Sequence, residues 1–383
     1  MPVPFVDLTR QIRSLRREID AALARVVDSG RFILGPEVEA LEREAAAKIG
    51  VRHAVGVASG TDALVLALRA AGVRPGDVVL TAPFSFFATA AVILELGARP
   101  AFVDIDARTF NLDAGAAGDY LAGSKGRRVR AVMPVHLYGL MADLKALRAA
   151  ADKRGIPVIE DAAQAIGALR DGIPAGAGGF AAGFSFFPTK NLGAFGDAGM
   201  VTTHDDATAI AIRQMRNHGS KAKNLHAVVG MNGRLDEIQA AVLRVKLTRL
   251  DEWNRQRREN ALQYTRALQG VGGIVCPVEP PGTRHIYHQY TLRVAAGRRD
   301  ALRDHLQAHG VGSDVYYPIA MHLQPALKGL GFRKGMCPQA ERCADEVLSL
   351  PVFPELTREE HEEVIKAIRL FPAARSKPVR SRR

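Results

Sequence analysis

Short apolar runs alternate with segments of helical periodicity between residues 50 and 206. Runs that fit strands include HAVGVASG (53–60), GDVVLTAP (76–83) and RPAFVDID (99–106), and helical segments TDALVLALRAAG (61–72) and SFFATAAVILELG (85–97) separate them. Strands spaced by helices are typical of a mostly parallel sheet with helices on both faces. The pattern therefore predicts an α/β fold with a parallel sheet.

The same alternation continues toward residue 206. A helix is predicted over 142–155, and further strand runs fall at 127–139, 156–163, 179–187 and 198–206. In open sheets of this kind, ligands bind beyond the carboxyl ends of the strands. Functional residues are therefore expected where these runs end.

The pattern changes at Arg234, where a long charged helix is predicted to run to about residue 270. Beyond it, HQYTLRVAA reads as a strand and RDALRDHLQAHG as a helix, which indicates a compact α+β domain. We predict a large domain over 1–250 and a smaller C-terminal domain over 251–372. The basic tail 373–383 is expected to be disordered.

Composition excludes several classes of protein. The chain has 383 residues, 47% of them hydrophobic and 24% charged, the profile of a soluble globular protein. It offers no apolar stretch long enough to span a membrane and no secretion signal. Its three cysteines are too few and too scattered for a disulfide scaffold or a zinc site, so we predict a cytoplasmic protein without a metal.

The net charge of +12 raises the question of a polyanion partner. Basic and acidic residues are interleaved, and no helix-turn-helix, zinc-finger or RNA-binding signature accompanies the charge. We therefore expect no nucleic-acid partner. Attraction to a small anionic substrate fits the charge better.

Lys190 lies between an aromatic run and a glycine-rich run in FSFFPTKNLGAFGDAG. A partly apolar pocket lowers the pKa of a lysine by desolvation, and the neutral amine attacks a carbonyl to form a Schiff base. The alternative is an ordinary surface lysine beside a strand. Ser185, five residues earlier, offers a hydroxyl from the next loop.

Asp161 and Gln164 lie at or just past the end of the strand in VIEDAAQAIGA. A carboxylate at this edge keeps a heterocyclic nitrogen protonated, which pyridoxal phosphate requires for transamination. The alternative role for Asp161 is to cap the following turn.

A strand-to-helix turn at Ser59, Gly60 and Thr61 is suited to an anion such as a phosphate, because free N–H groups and the helix dipole meet there. The alternative is a helix cap formed by Thr61 or Asp62. Phe86 follows another strand end, where it either stacks on a flat ring or packs in the core.

His136, in PVHLYG, either lines the site or forms a hydrogen bond in the core. Taken together, the strand ends supply an amine, a carboxylate, an anion cradle and an aromatic lid. This combination is what pyridoxal-phosphate chemistry needs.

The sequence resembles the DegT/DnrJ/EryC1/StrS family of nucleotide-sugar aminotransferases from PFVDLTRQ to about residue 370. The motifs that carry the resemblance occur in order: SGTDALVLAL, TAPFSFFATA, FVDID, PVHLYG, IEDAAQAIGA, FSFFPTKNLGAFGDAGMV, MNGRLDEIQAAVLRVKL and YYPIAMHLQPAL. The resemblance implies the aspartate-aminotransferase-like fold (fold type I of pyridoxal-phosphate-dependent transferases). It also implies a homodimer whose active sites lie at the subunit interface.

The resemblance also assigns roles to single residues. Lys190 corresponds to the Schiff-base lysine and Asp161 to the partner of the pyridine nitrogen. The other cofactor-binding positions are Gln164 beside the ring hydroxyl, Phe86 as the stacking aromatic, Gly60, Thr61 and Ser185 at the phosphate, and Asn232 as a phosphate ligand from the partner subunit. The segment 1–35, with Phe32 in GRFILGPEVE, borders the substrate, and Tyr316, Tyr317 and His322 correspond to the C-terminal substrate-side segment.

The implied reaction moves an amino group from an amino acid, by analogy L-glutamate, to a keto-sugar on a nucleoside diphosphate. The stretch HGSKAKNLHAVVGMNGRLDEIQAAVLRVKL resembles members that aminate carbon 3 of a dTDP-linked 6-deoxyhexose or a UDP-linked uronate. A dehydratase branch of the family has histidine in place of the lysine, so Lys190 disfavours that branch. Gly233 stands where the family often has an aromatic residue. A non-catalytic regulator with this fold and a polyanion-binding protein remain the alternatives.

Overall fold

The computed structural model describes residues 2–295 and 297–372, and the tail 373–383 lies outside the described residues. Within these ranges the α-helices are α1 Leu8–Ser14, α2 Arg16–Ser29, α3 Pro36–Ile49, α4 Gly60–Ala70, α5 Ala88–Glu95, α6 Ala114–Ala122, α7 Leu144–Ala151, α8 Asp206–Met215, α9 Glu237–Leu247, α10 Leu250–Leu268, α11 Arg299–Ala308, α12 Pro338–Glu346 and α13 Arg358–Leu370. The strands are β1 His53–Val57, β2 Val78–Thr81, β3 Arg99–Phe102, β4 Val129–Met133, β5 Ile159–Asp161, β6 Leu169–Arg170, β7 Ile173–Pro174, β8 Ala181–Ser185, β9 Gly199–Thr203, β10 Ser220–Ala222, β11 Leu225–His226, β12 Ile274–Val275, β13 Thr283–Arg284, β14 Tyr290–Val294 and β15 Val347–Leu350.

The central sheet joins strands in the order β1-β9-β8-β5-β4-β2-β3. Two sets of paired strands form it, and parallel bridges from Val132 to Val158 and from Val135 to Asp161 connect them. Only β9 runs antiparallel to its neighbours. The predicted mostly parallel sheet is therefore confirmed, and β5, β8 and β1 deliver their carboxyl ends to one edge.

Alternating side chains of these strands bury both faces of the sheet. Val79 of β2 packs in a cluster with α4 and α8, whereas its neighbour Leu80 packs with α6 and α7. Phe184 of β8 faces α3 and α9. Successive side chains of a strand point to opposite faces, so a sheet with helices on both faces buries both sets.

The prediction of one long charged helix from Arg234 to residue 270 was wrong. The chain forms α9 and α10 with a break at Thr248 and Arg249. The Thr248 hydroxyl donates to the Val245 carbonyl at 2.8 Å, and the Arg249 N–H bonds to Lys246, three residues back, at 3.0 Å. A threonine hydroxyl that competes for a helix carbonyl in this way interrupts the regular ladder.

The C-terminal part contains a three-stranded antiparallel sheet, β12-β14-β15, as the α+β pattern predicts. Side chains of α10, α11 and α13 cover it. The N-terminal residue Val3 bridges to Val311 and joins this cluster. Among the described residues, no helix is both long and apolar enough to cross a membrane.

Candidate active site

A cavity of about 490 Å³ opens at the carboxyl ends of β5 and β8. Its floor is the strand edge and the loop after β8, and its walls come from distant parts of the chain. These walls include Phe5 near the N-terminus, Tyr316 and Tyr317, and Phe353 after β15. The cavity is thus located where a mostly parallel sheet binds its ligands.

Lys190 lies on the cavity floor, in a turn in which its backbone N–H donates to the Phe187 carbonyl at 2.8 Å. Burial lowers the pKa of its ammonium from 10.5 to about 8, against an opposing effect of the Asp161 carboxylate. The next residue, Asn191, is buried and its amide donates to Asn254 at 2.7 Å. The loop therefore holds a lysine whose neutral form is well populated near pH 8.

Asp161 ends β5 and is buried against the cavity. Burial raises the pKa of its carboxyl, while hydrogen bonds from the Thr89 hydroxyl and the Ala163 N–H, together with the charge of Lys190, lower it. The Thr89 hydroxyl donates to Oδ2 at 2.8 Å. The result is a buried carboxylate with a fixed orientation that lacks a hydrogen-bonded cation of its own within the described residues.

The predicted anion cradle lies at the N-terminus of α4. The helix cap is Ser59, whose hydroxyl accepts from the Asp62 N–H at 3.0 Å, rather than Thr61 or Asp62. Gly60 packs so closely on β8 that an added Cβ would lie 2.6 Å from the Cβ of Ser185. Gly60, Thr61 and Ser185 all line the cavity, so the N-terminus of α4 and two hydroxyls border the same space, as an anion site requires.

Flat and polar side chains also line the cavity. Phe86 is 60% exposed and lines the cavity, with its ring 6.3 Å from that of Tyr317. The Gln164 amide accepts from the Tyr138 N–H at 2.7 Å and donates to the Tyr317 hydroxyl at 3.1 Å. An exposed aromatic face and a fixed amide therefore border the space beside Asp161.

Two histidines that the sequence offers as substrate contacts are not among the residues that line the cavity. His136 is fully buried, and its Nε2 lies 2.8 Å from Glu160, while its Nδ1 accepts from the Ala142 N–H. This is the core alternative of the sequence analysis. His322 is buried with its Nε2 3.0 Å from Glu341.

Phe32 and Asn232 lie on the surface and do not line the cavity of their own chain. The Phe32 carbonyl accepts from the Glu237 N–H at 3.2 Å, and Asn232 bridges to Asn217. Their predicted roles, next to the substrate and at a partner's phosphate, remain predictions about an assembly of two chains.

The cavity also contains side chains that the sequence analysis did not identify. Thr89 holds Asp161, His288 bonds to Asn191 at 3.1 Å, and Arg257 and Gln289 line the wall beneath the C-terminal sheet. For Arg257 a signal existed, because it shares the buried face of α10 with Trp253. For the others, only the fold shows the proximity.

These residues fit pyridoxal 5'-phosphate. The N-terminus of α4 approaches Ser185 closely at the edge of the cavity, and a buried carboxyl group and an amine of lowered pKa lie in the same cavity. A phosphate, a pyridine nitrogen and an aldehyde are the groups that such a donor set binds.

A sequence model of the DegT/DnrJ/EryC1/StrS aminotransferase family matches residues 13–369. The chain belongs to this family. The resemblance read from the motifs is thereby confirmed, and with it the assignment as an aminotransferase. Aminotransferases of the DegT/DnrJ/EryC1/StrS family use pyridoxal phosphate.

Relatives of this DegT/DnrJ/EryC1/StrS aminotransferase match almost end to end. A pleiotropic regulatory protein of Geobacillus stearothermophilus is 49% identical, over 97% of the chain and 99% of the relative. A dTDP-3-amino-3,4,6-trideoxy-alpha-D-glucose transaminase of Streptomyces venezuelae is 46% identical, over 96% of the chain and 95% of the relative.

Solved structures share the fold of this family member. The crystal structure of S. venezuelae DesV in complex with a ketimine intermediate superposes with a TM-score of 0.93 at 46% identity, over 96% of the chain and 98% of the DesV chain. The predicted aspartate-aminotransferase-like fold type I is therefore confirmed. Within the described residues, no group of three or more histidine, cysteine or acidic side chains is arranged to hold a metal ion.

Proposed function

We propose that the protein transfers the amino group of an amino acid, L-glutamate, to the carbon-3 carbonyl of a keto-sugar linked to a nucleoside diphosphate. The observation that carries the proposal is the pairing of Lys190 with buried Asp161 in a cavity that also contains the Gly60 cradle. Support for the sugar comes from the name of the 46% identical S. venezuelae relative, a dTDP-amino-sugar transaminase.

In this proposal the cofactor is held at both ends. Gly60, Thr61 and Ser185 would bind its phosphate, Phe86 would cover its ring, and Asp161 would keep the ring nitrogen protonated. Gln164 would adjoin the ring hydroxyl. When bound, pyridoxal phosphate supplies an electron sink for the pair left when a proton leaves the donor's α-carbon.

Lys190 acts as the general base and acid of the reaction. With a pKa of about 8, its Nζ is deprotonated often enough near neutral pH to accept the α-proton and is basic enough to hold it. Burial raises the pKa of the Asp161 carboxyl, and the hydrogen bond that the Thr89 hydroxyl donates to it opposes this rise. The donor becomes an oxo acid and the keto-sugar an amino-sugar, so no outside oxidant or reductant is needed.

The test of this function begins with the visible spectrum of the cofactor-loaded protein before and after L-glutamate is added. Bleaching of the bound cofactor, followed by recovery of the colour with one nucleotide keto-sugar, is the expected result. The panel of acceptors should contain a dTDP-linked 3-keto-6-deoxyhexose and a UDP-linked 3-keto-uronate, with NMR of the product to locate the new amine. Lys190→Ala should abolish turnover while the protein still folds, and appreciable activity in that variant would refute the assignment.

A homodimer with shared sites is part of the proposal. Exposed apolar side chains gather near the start of α9: the Phe32 carbonyl bonds to the Glu237 N–H, and the Phe195 N–H donates to Gln239 at 2.8 Å. Four of the exposed apolar side chains lie in or contact this region, and four others belong to the loop after β8 and to residues 225–229; in chain order they are Phe32, Ile33, Phe187, Phe195, Leu225, Val228, Val229 and Ile238. Exposed apolar patches of this kind are typical of subunit interfaces.

The second candidate is a regulator that keeps the fold without turnover. The name of the 49% identical G. stearothermophilus relative, a pleiotropic regulatory protein, favours it. The two candidates differ in the spectrum: a regulator gives no recovery of colour with any keto-sugar in the panel. The intact pair of Lys190 and Asp161 favours the enzyme.

A further inference from the structure

We infer that Arg257 and Gln289 form the site that binds the α-carboxylate and the amino group of the amino-acid donor. The inference rests on the proposed aminotransfer and names the part of the cavity that binds the amino-acid donor. Both side chains line the cavity, and both are more than nine-tenths buried, with exposed fractions of 6% for Arg257 and 7% for Gln289.

The guanidinium of Arg257 has almost no partners within the described residues. Its Nε is buried without a hydrogen-bond acceptor, and its Nη1 reaches the His288 carbonyl only at 3.4 Å. No carboxylate of the described residues lies within 4.0 Å of it; burial lowers the pKa of the guanidinium to about 10, and only the more distant charge of Glu355 opposes this fall. A buried arginine without an ion pair is expensive, and a planar anion that fills its fork removes that cost.

Gln289 supplies the complementary group. Its side-chain Oε1 is buried without a donor, next to the residue whose carbonyl Arg257 contacts. Two residues that line the cavity, Arg257 and Gln289, thus each carry a polar atom without a hydrogen-bond partner, a donor on Arg257 and an acceptor on Gln289. A zwitterion, with a carboxylate and an amine on one carbon, satisfies both at once.

The position of this pair selects the donor over the sugar nucleotide. Arg257 is coupled to the lysine loop, since His288 bonds to Asn191 at 3.1 Å and Asn191 follows Lys190. An amino acid carries its carboxylate on the same carbon as the reacting amine, so its anion must lie close to Lys190. In a sugar nucleotide, ring atoms separate the diphosphate from carbon 3, which places that anion farther from the reacting carbon.

The experiment measures binding without turnover. Glutarate, which is L-glutamate without its amino group, is titrated by calorimetry into the cofactor-loaded wild type and Arg257→Gln, and thymidine diphosphate is titrated in parallel. We expect glutarate to bind on the order of 10- to 100-fold more weakly to the variant, the loss typical of a charge-assisted hydrogen-bond pair. Thymidine diphosphate should bind equally to both.

Spectra supply the second arm. The concentration of L-glutamate that half-saturates bleaching should rise by a similar factor, and the preference for L-glutamate over 4-aminobutyrate, which lacks the α-carboxylate, should shrink. Gln289→Leu should weaken the binding of L-glutamate more than the binding of glutarate, because only L-glutamate has an amino group. The matched control is Arg255→Gln, an exposed arginine on the same helix that pairs with Glu252 and Glu259 outside the cavity.

Unchanged glutarate binding in Arg257→Gln, or a loss confined to thymidine diphosphate, overturns the inference. If the glutamine variant does not fold, Arg257→Lys keeps the charge without the planar fork and should still weaken glutarate several-fold; an unchanged constant there also overturns it. If the wild type fails to bleach with any amino acid, the proposed function fails, while the glutarate comparison still judges the anion site by itself.

Discussion

Burial shifts the pKa values of two ionisable residues in the cavity in opposite directions. Desolvation lowers the pKa of Lys190 and raises that of Asp161, because it penalises the charged form of each. Asp161 is compensated by the Thr89 hydroxyl at 2.8 Å. Lys190 has only the charge of Asp161 to oppose desolvation, so it is the residue that gives up its proton.

This asymmetry predicts the pH dependence of cofactor capture by the apo protein. The neutral amine is the reacting form, so the rate of colour development with pyridoxal phosphate should rise with pH through a midpoint near 8, where the pKa of Lys190 lies. A midpoint near 10.5, the ordinary value for lysine, would contradict the assignment.

Lys246 offers the control for this measurement. Burial lowers its pKa to about 8 as well, but its Nζ donates to the Gly193 carbonyl and it does not line the cavity. Lys246→Met should therefore leave the midpoint unchanged, whereas Lys190→Ala should abolish colour development.

At the scale of elements, the cradle depends on how closely α4 approaches β8. The helix begins at Gly60, and Ser59 caps it, so the first N–H groups point into the cavity beside Ser185. Gly183, on the same strand, meets Leu64 at 2.8 Å if a Cβ is added. Glycines on both sides of the contact thus let the helix lie directly on the strand.

Gly60→Ala tests this contact. The new Cβ would lie 2.6 Å from the Cβ of Ser185, so α4 must shift away from β8. We expect cofactor affinity to fall by roughly 10-fold or more and the free energy of unfolding to fall by about 1–3 kcal/mol, as for other overpacked sites. Spectral titration and denaturant unfolding measure the two effects.

Gly272→Ala is the matched control, because a Cβ at that position meets nothing within 4 Å. It should change neither quantity appreciably. If Gly60→Ala bound the cofactor as tightly as the wild type, α4 could shift away from β8 without weakening the phosphate site, and the prediction would be wrong.

At the scale of the whole molecule, a single chain leaves apolar side chains exposed and leaves Asn232, the predicted phosphate-binding residue, outside its own cavity. Val229 is 80% exposed, and Asn232 lies nearby on the surface, outside the cavity of its own chain. A dimer that covers this surface and brings Asn232 into the partner's site accounts for both features.

Mixed dimers distinguish a shared site from a self-contained one. Lys190→Ala and Asn232→Ala homodimers should each be strongly impaired. Co-expressed and separately tagged, they should yield a heterodimer with about half the wild-type activity per dimer, because one of its two sites has both residues intact. If Asn232 acts within its own chain, no heterodimer site is intact and activity does not return. Sedimentation of the wild type checks that a dimer forms.

The sequence by itself determined the order of strands and helices and the kinds of chemistry at the strand ends. Both follow from short-range physics: apolar periodicity defines β5 and β8, Asp161 is the last residue of β5, and Lys190 follows the end of β8 by five residues. The motif order was also enough to identify the family.

The tertiary structure alone decided which of these residues share a cavity and how burial shifts their pKa values. It buried His136 against Glu160 and brought Arg257 and Gln289 into the cavity that holds Lys190. Desolvation and proximity depend on side chains that are far apart in the chain, so no local pattern contains them.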